Sequence, residues 1–70
     1  MSDQQPARES ILNLALTAVE AASRNGGMIA AQTEAVRLLN EHPECSMTVD
    51  ELRDEIARIA MHRGVGVEFG

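Results

Sequence analysis

Tryptophan, tyrosine and lysine are missing from this chain, phenylalanine occurs once, at Phe69, and cysteine once, at Cys45. A single cysteine excludes an intrachain disulfide and fits a reducing compartment. No Cys/His set has the spacing of a zinc site, so no structural metal is expected. With one aromatic residue, the core must be built from Leu, Ile, Val, Ala and Met. No apolar run approaches the ~18 residues of a membrane span. The opening MSDQQPARES has neither the basic nor the apolar region of a signal peptide, so a cytoplasmic location is expected. A basic stripe is also missing. The net charge of −5 is spread over the chain: −1 for residues 1–26, −2 for 27–47 and −2 for 48–70. Nucleic-acid binders present the opposite pattern.

What is present is a set of helical periodicities within 70 residues, one domain at most. So short a chain buries only about 60% of its unfolded surface and needs a supplement to its core. With disulfide and zinc excluded, self-association is the supplement that remains.

The dominant stretch is Ser10–Arg24. On a helix, Ile11, Leu12, Leu14, Ala15, Leu16, Ala18, Val19, Ala21 and Ala22 span roughly 220°, twice what covering a core from one side requires. This predicts a central helix with neighbours on two sides, Leu14 and Val19 buried, and part of the arc facing a partner. Pro6 suits a first turn, and Met1–Gln5 reads as a frayed end. Asn25-Gly26-Gly27 can supply left-handed stop residues. The glycine pair matches neither phosphate-loop spacing and reads as a turn.

A second helix is expected over Met28–Glu41, with Met28, Ile29, Ala31, Ala35, Val36, Leu38 and Leu39 on an arc of about 180°. Gln32 falls inside this arc and needs a hydrogen-bond partner or an edge position. Pro43 ends the helix. A third helix, Thr48–Arg63, carries the clearest boundaries. Thr48 and Glu51 form the T-x-x-E capping box, with Met47 placed to staple against Leu52. Asp50, Glu51, Asp54 and Glu55 open the helix and Arg58, His62 and Arg63 close it, the order the macrodipole favours. Asp54 and Arg58 have the spacing of an i,i+4 ion pair. Its stripe of Val49, Leu52, Ile56, Ile59 and Ala60 is narrow and predicts packing on one side. Gly64 stops the helix, and Val65 suits the hydrophobic contact of a Schellman end.

Val65, Val67 and Phe69 then alternate with Gly66 and Glu68 at strand period. No second strand is evident in the sequence. The tail is therefore expected to be extended, either packed on the helices or paired with another chain. The fold expected is all-α: one small domain over residues 1–70, with helices near 6–24, 28–42 and 48–63 and an extended tail or single short strand over 64–70.

Ala35–Phe69 resembles part of a winged-helix domain: a helix, a short connector, the capped helix TVDELRDEIARIA, then a valine-rich strand. The resemblance implies DNA binding and transcription regulation. In that family a third, recognition helix precedes the wing strands, whereas Arg63-Gly64-Val65 runs straight into the strand. The four acids opening the capped helix would also repel phosphates.

Chemistry-bearing residues are few. His42 and Cys45 lie three apart and His62 is a third candidate ligand, but no recognised metal spacing results. No residue is marked as a catalytic nucleophile or base. The acids at 50, 51, 54 and 55 read as a solvated face. The expectation is a self-associating protein–protein interaction module, a homodimer or the partner of another protein. No catalysis, cofactor, nucleic acid or membrane is expected, with helix-turn-helix or winged-helix DNA binding as the alternative. The residues expected at the contact are Leu12, Leu16 and Val19 on the first helix and Val65, Val67 and Phe69 in the tail.

Overall fold

A computed structural model describes residues 5–68. Three helices and two short strands follow the order α1 (Gln5–Arg24), β1 (Met28–Ala30), α2 (Ala31–Glu41), α3 (Val49–His62) and β2 (Gly66–Glu68). The expected small three-helix domain with a short C-terminal strand is therefore the fold. The frayed end expected over Met1–Gln5 and the tail's Phe69 lie, but for Gln5, outside the described residues.

Both long helices end in the same way. After α1, Gly26 and Gly27 take φ of 109° and 79°, and the Gly27 N–H donates to the Ala22 carbonyl at 2.8 Å. After α3, Gly64 takes φ of 72°. There the Val65 N–H donates to Ala60 at 2.8 Å and the Gly64 N–H to Met61 at 3.3 Å, the two bonds of a Schellman motif. Positive φ strains any residue with a Cβ, which is why glycine stands at these points. At the start of α3 the capping box is complete. Thr48 Oγ1 accepts from the Glu51 N–H at 3.1 Å, and Glu51 Oε1 accepts from the Thr48 N–H at 2.9 Å. Met47 and Leu52 are both buried in the core there, consistent with the expected staple.

One expectation is overturned at Met28. The sequence predicts that the second helix starts there and that the tail has no strand partner in its own chain. Met28–Ala30 is instead a strand, and it pairs in parallel with Gly66–Glu68, Ile29 standing opposite Val67. The Gly66 N–H donates to the Gly27 carbonyl at 2.7 Å, just ahead of the pair. Each helix stop thus releases the chain into an extended segment, and the two segments satisfy each other's backbone groups. The pairing is parallel because the α2–α3 hairpin forms the crossover between the strands. Met28 and Gly66 are register partners. The Met28 thioether lies where a Cβ at position 66 would stand, so glycine there makes room for the side chain opposite.

The core is aliphatic: Ile11, Ala15 and Val19 from α1, Ile29 from β1, and Ala31, Ala35 and Leu38 from α2. Cys45 and Met47 from the connector, Leu52, Ile56 and Ala60 from α3, and Val65 complete it. Leu14 is not among them. It is 38% exposed, against the expectation of burial. Ile11, Ala15 and Val19 form an i,i+4 row, and Leu14 lies about 100° around the helix from Ala15, beyond the edge of that row.

The one-sided packing expected of the third helix is overturned as well. α3 packs extensively against both α1 and α2, more than those two pack on each other, and so is the central helix. Its row of Leu52, Ile56 and Ala60 is fully buried. The small side chain of Ala60 lets neighbouring backbone approach, since interaxial distance follows side-chain size at the contact.

Candidate interaction surface

The residues expected at a contact divide sharply. Val19 and Val65 are both buried and belong to the chain's own core. Leu12 and Val67 are half-buried and packed against that core. Leu16 is half-buried at the flank of α1. Phe69 lies outside the described residues. The expected set is therefore not a single surface: its middle is consumed by folding, and its flanks are left partly open.

The most exposed large apolar side chain among the described residues is on another element. Met61, on the last turn of α3, is 75% exposed. It lines a shallow depression of about 570 Å³ together with Asp54, Ala57, Arg58 and His62. Positions 54, 57, 58 and 61 are the four corners of one diamond on a helix surface, the shape that receives a knob from a facing helix. Ala57, only 9% exposed, forms the floor because its side chain is a single methyl. Sequence reasoning passed over this site because Ala57 and Met61 lie off the apolar stripe of α3. The signal that could have found it was a methionine among charged residues on the solvent side.

Charge on α3 is ordered along its length, and its local pairs differ from the spacing expectation. Arg58 Nη1 pairs with Glu55 at 3.5 Å rather than with Asp54. Asp54 is instead 3.6 Å from Arg53, which also pairs with Asp50 at 3.3 Å. Both i,i+3 and i,i+4 neighbours lie within reach on a helix, and Arg53 competes for Asp54. Arg53 also ties two helices together, its Nη1 donating to Gln32 Oε1 at 3.5 Å across the α2–α3 contact. Gln32 is exposed, so the edge position answers its need for a partner. The Arg53 Nε is buried with no hydrogen-bond partner. Arg63 closes the other side, its Nη1 3.1 Å from Glu20 of α1.

The connector candidates do not assemble into a metal site. His42 Nδ1 lies 3.3 Å from Glu44 Oε2, Cys45 is buried and His62 is exposed at the end of α3. Among the described residues, no three His, Cys, Asp or Glu side chains come together. The Glu44 carboxyl is held below its usual range, chiefly by a hydrogen bond from its own backbone N–H, with His42 adding to the effect against partial desolvation. No helix among the described residues is long and apolar enough to cross a membrane. Compared with family models, curated proteins and solved structures, the chain finds no match.

Proposed function

We propose that this chain is a small protein–protein interaction module that associates with itself and carries out no catalysis. The observation behind the reading is the α3 depression: an alanine floor, a largely exposed methionine beside it, and charged residues around the rim. Interfaces of this kind have an apolar centre and a polar rim, and methionine adapts well to a facing surface. Burying Met61 against a partner is worth about 1.5–3 kcal/mol before the costs of association. The half-buried flank of α1 at Leu12 and Leu16 is a second apolar stretch partly open to a partner. Length supports the reading too, since a second copy would supply burial that a chain this small lacks.

Sedimentation velocity on the full chain across a wide concentration range tests the reading. A mass that rises with concentration, and a smaller rise for Met61→Lys, is the expected result. A strictly monomeric protein at millimolar concentration would overturn it.

DNA binding has one observation in its favour. Three helices precede β2, so a helix does stand where the winged-helix resemblance calls for a recognition helix. That helix is α3, and its first two turns carry Asp50, Glu51, Asp54 and Glu55, which oppose approach to phosphates. A mobility shift at low ionic strength that vanishes with added salt would move the proposal to this second reading.

A further inference from the structure

We infer that two copies meet along α3 in antiparallel orientation, about a two-fold axis that crosses the helix at the level of Ile56. The inference rests on the self-association reading above and adds the partner's orientation and register. It comes from the order of charge along the outer face of α3. Asp50, Glu51, Asp54 and Glu55 occupy the N-terminal part, with Arg53 paired to Asp50 and Asp54 beside them, and Arg58 and His62 the C-terminal part, with Ala57 and Met61 between and beside them. The Asp54 and Arg58 side chains are 67% and 66% exposed.

A two-fold axis at Ile56 sets each position before it against the equivalent position after it on the second copy. Asp54 then faces Arg58 of the second copy, with Glu55 beside it, and Glu51 faces the turn holding Met61 and His62. The same contacts repeat on the other side of the axis, as an isologous interface requires. The two Ala57 methyls come close to the axis, where small side chains allow the helices to approach. Each Met61 is carried onto the first turns of the opposite helix. A parallel pair would set Asp54 on Asp54 and Arg58 on Arg58, like charge against like, which opposes association.

Among the described residues, the open faces of α1 and α2 carry no such code. Around the exposed Leu14 of α1 stand Ser10, Asn13, Thr17 and Ala21, all uncharged. On α2, Arg37 is already flanked by Glu34 and Glu41 of the same helix. The local Glu55–Arg58 and Arg53–Asp54 pairs of α3 are not an obstacle, because surface pairs of this kind hold their partners only weakly.

Charge reversal tests the register on the full chain. Asp54→Arg and Arg58→Glu are prepared separately and mixed in equal amounts, with mass measured by sedimentation equilibrium and native mass spectrometry at low ionic strength. Far-UV circular dichroism of each variant confirms that the helices are intact. Each variant alone should dissociate on the order of tenfold more readily than the unaltered chain, because it sets like charges opposite each other. The mixture should form heterodimers as stable as the unaltered homodimer. In them the two reversed positions face each other with opposite signs, and the retained Arg58 of one variant faces the retained Asp54 of the other. Dimers unaffected by either reversal, or weakened without rescue on mixing, would overturn the antiparallel register while leaving self-association standing. An unaltered chain that stays monomeric at millimolar concentration would overturn both.

Discussion

Helices α1 and α3 invite comparison because each is amphipathic, each is closed by a glycine stop, and the one with the narrower arc makes the more extensive helix contacts. α1 has the wider arc and packs on α2, α3 and β1. α3 has the narrower arc and is gripped by both of the other helices. The width of an arc measures how much apolar surface a helix offers, not how many neighbours take it up. α1 buries the row Ile11, Ala15 and Val19 completely and leaves Leu14 exposed. α3 buries Leu52, Ile56 and Ala60 completely and adds Ala57, which a count of bulky residues underweights. A surplus of leucine on a wide arc can remain as surface where no neighbour covers it, as at Leu14.

The largest difference between the two helices is expected at the paired substitutions Ile56→Ala and Leu14→Ala. Ile56 is fully buried in the central helix, and its truncation should cost about 2–5 kcal/mol, enough to unfold much of a marginal domain. Leu14→Ala should cost under about 1 kcal/mol, since it opens no enclosed cavity. Chemical denaturation of both variants gives the answer. Equal losses would restore α1 to the centre of the fold.

The glycine stops come next. Gly64→Ala meets no atom within 4 Å but must hold φ near 72°, so its cost is backbone strain of about 1–2 kcal/mol. Gly66→Ala differs in kind, because it displaces the flexible Met28 side chain. Adding Met28→Ala should therefore relieve Gly66→Ala and leave Gly64→Ala unchanged. Thermal melts of the two double variants test this, and equal relief at both positions would contradict it.

Smaller again is the α3 cap. Thr48→Ala removes the acceptor of the 3.1 Å bond from the Glu51 N–H and should cost about 1 kcal/mol. Amide exchange at Glu51 should accelerate while the far end of α3 keeps its protection. The smallest effect is expected at Glu44, exposed in the connector. Its folded carboxyl titrates below the unfolded value, so its contribution is present above the unfolded pKa and fades as pH falls through the folded one. Glu44→Gln should remove that acid-side slope, and the stabilities of the two chains should converge once the pH lies below the folded pKa. A difference that grows toward low pH would contradict the assignment.

Much of α3 was legible because its boundaries are local chemistry. Thr48 with Glu51, Gly64 with Val65, and the acid-to-base order each act within a turn or two of helix. The strand at Met28–Ala30 was not legible. Three residues are too few to show a period of two, and Met28 and Ile29 also fit the helical arc that continues through Ala35 and Leu38. The α3 depression was hidden for a related reason: Ala57 and Met61 sit outside the apolar stripe, and only packing distinguishes a surface alanine from the floor of a recess.

The stops of the helices, the start of α3, the aliphatic core and the lack of an intrachain disulfide could all be read from the amino-acid order alone. Capping boxes, left-handed glycines and composition act through neighbours along the chain, so they can be read in one dimension. Tertiary structure decided the rest: which arc residues are enclosed, which helix is central, and that the segments after two separate glycine stops become a parallel pair. Those outcomes depend on surfaces far apart in sequence competing for the same partners, and that competition is resolved only when the chain closes on itself.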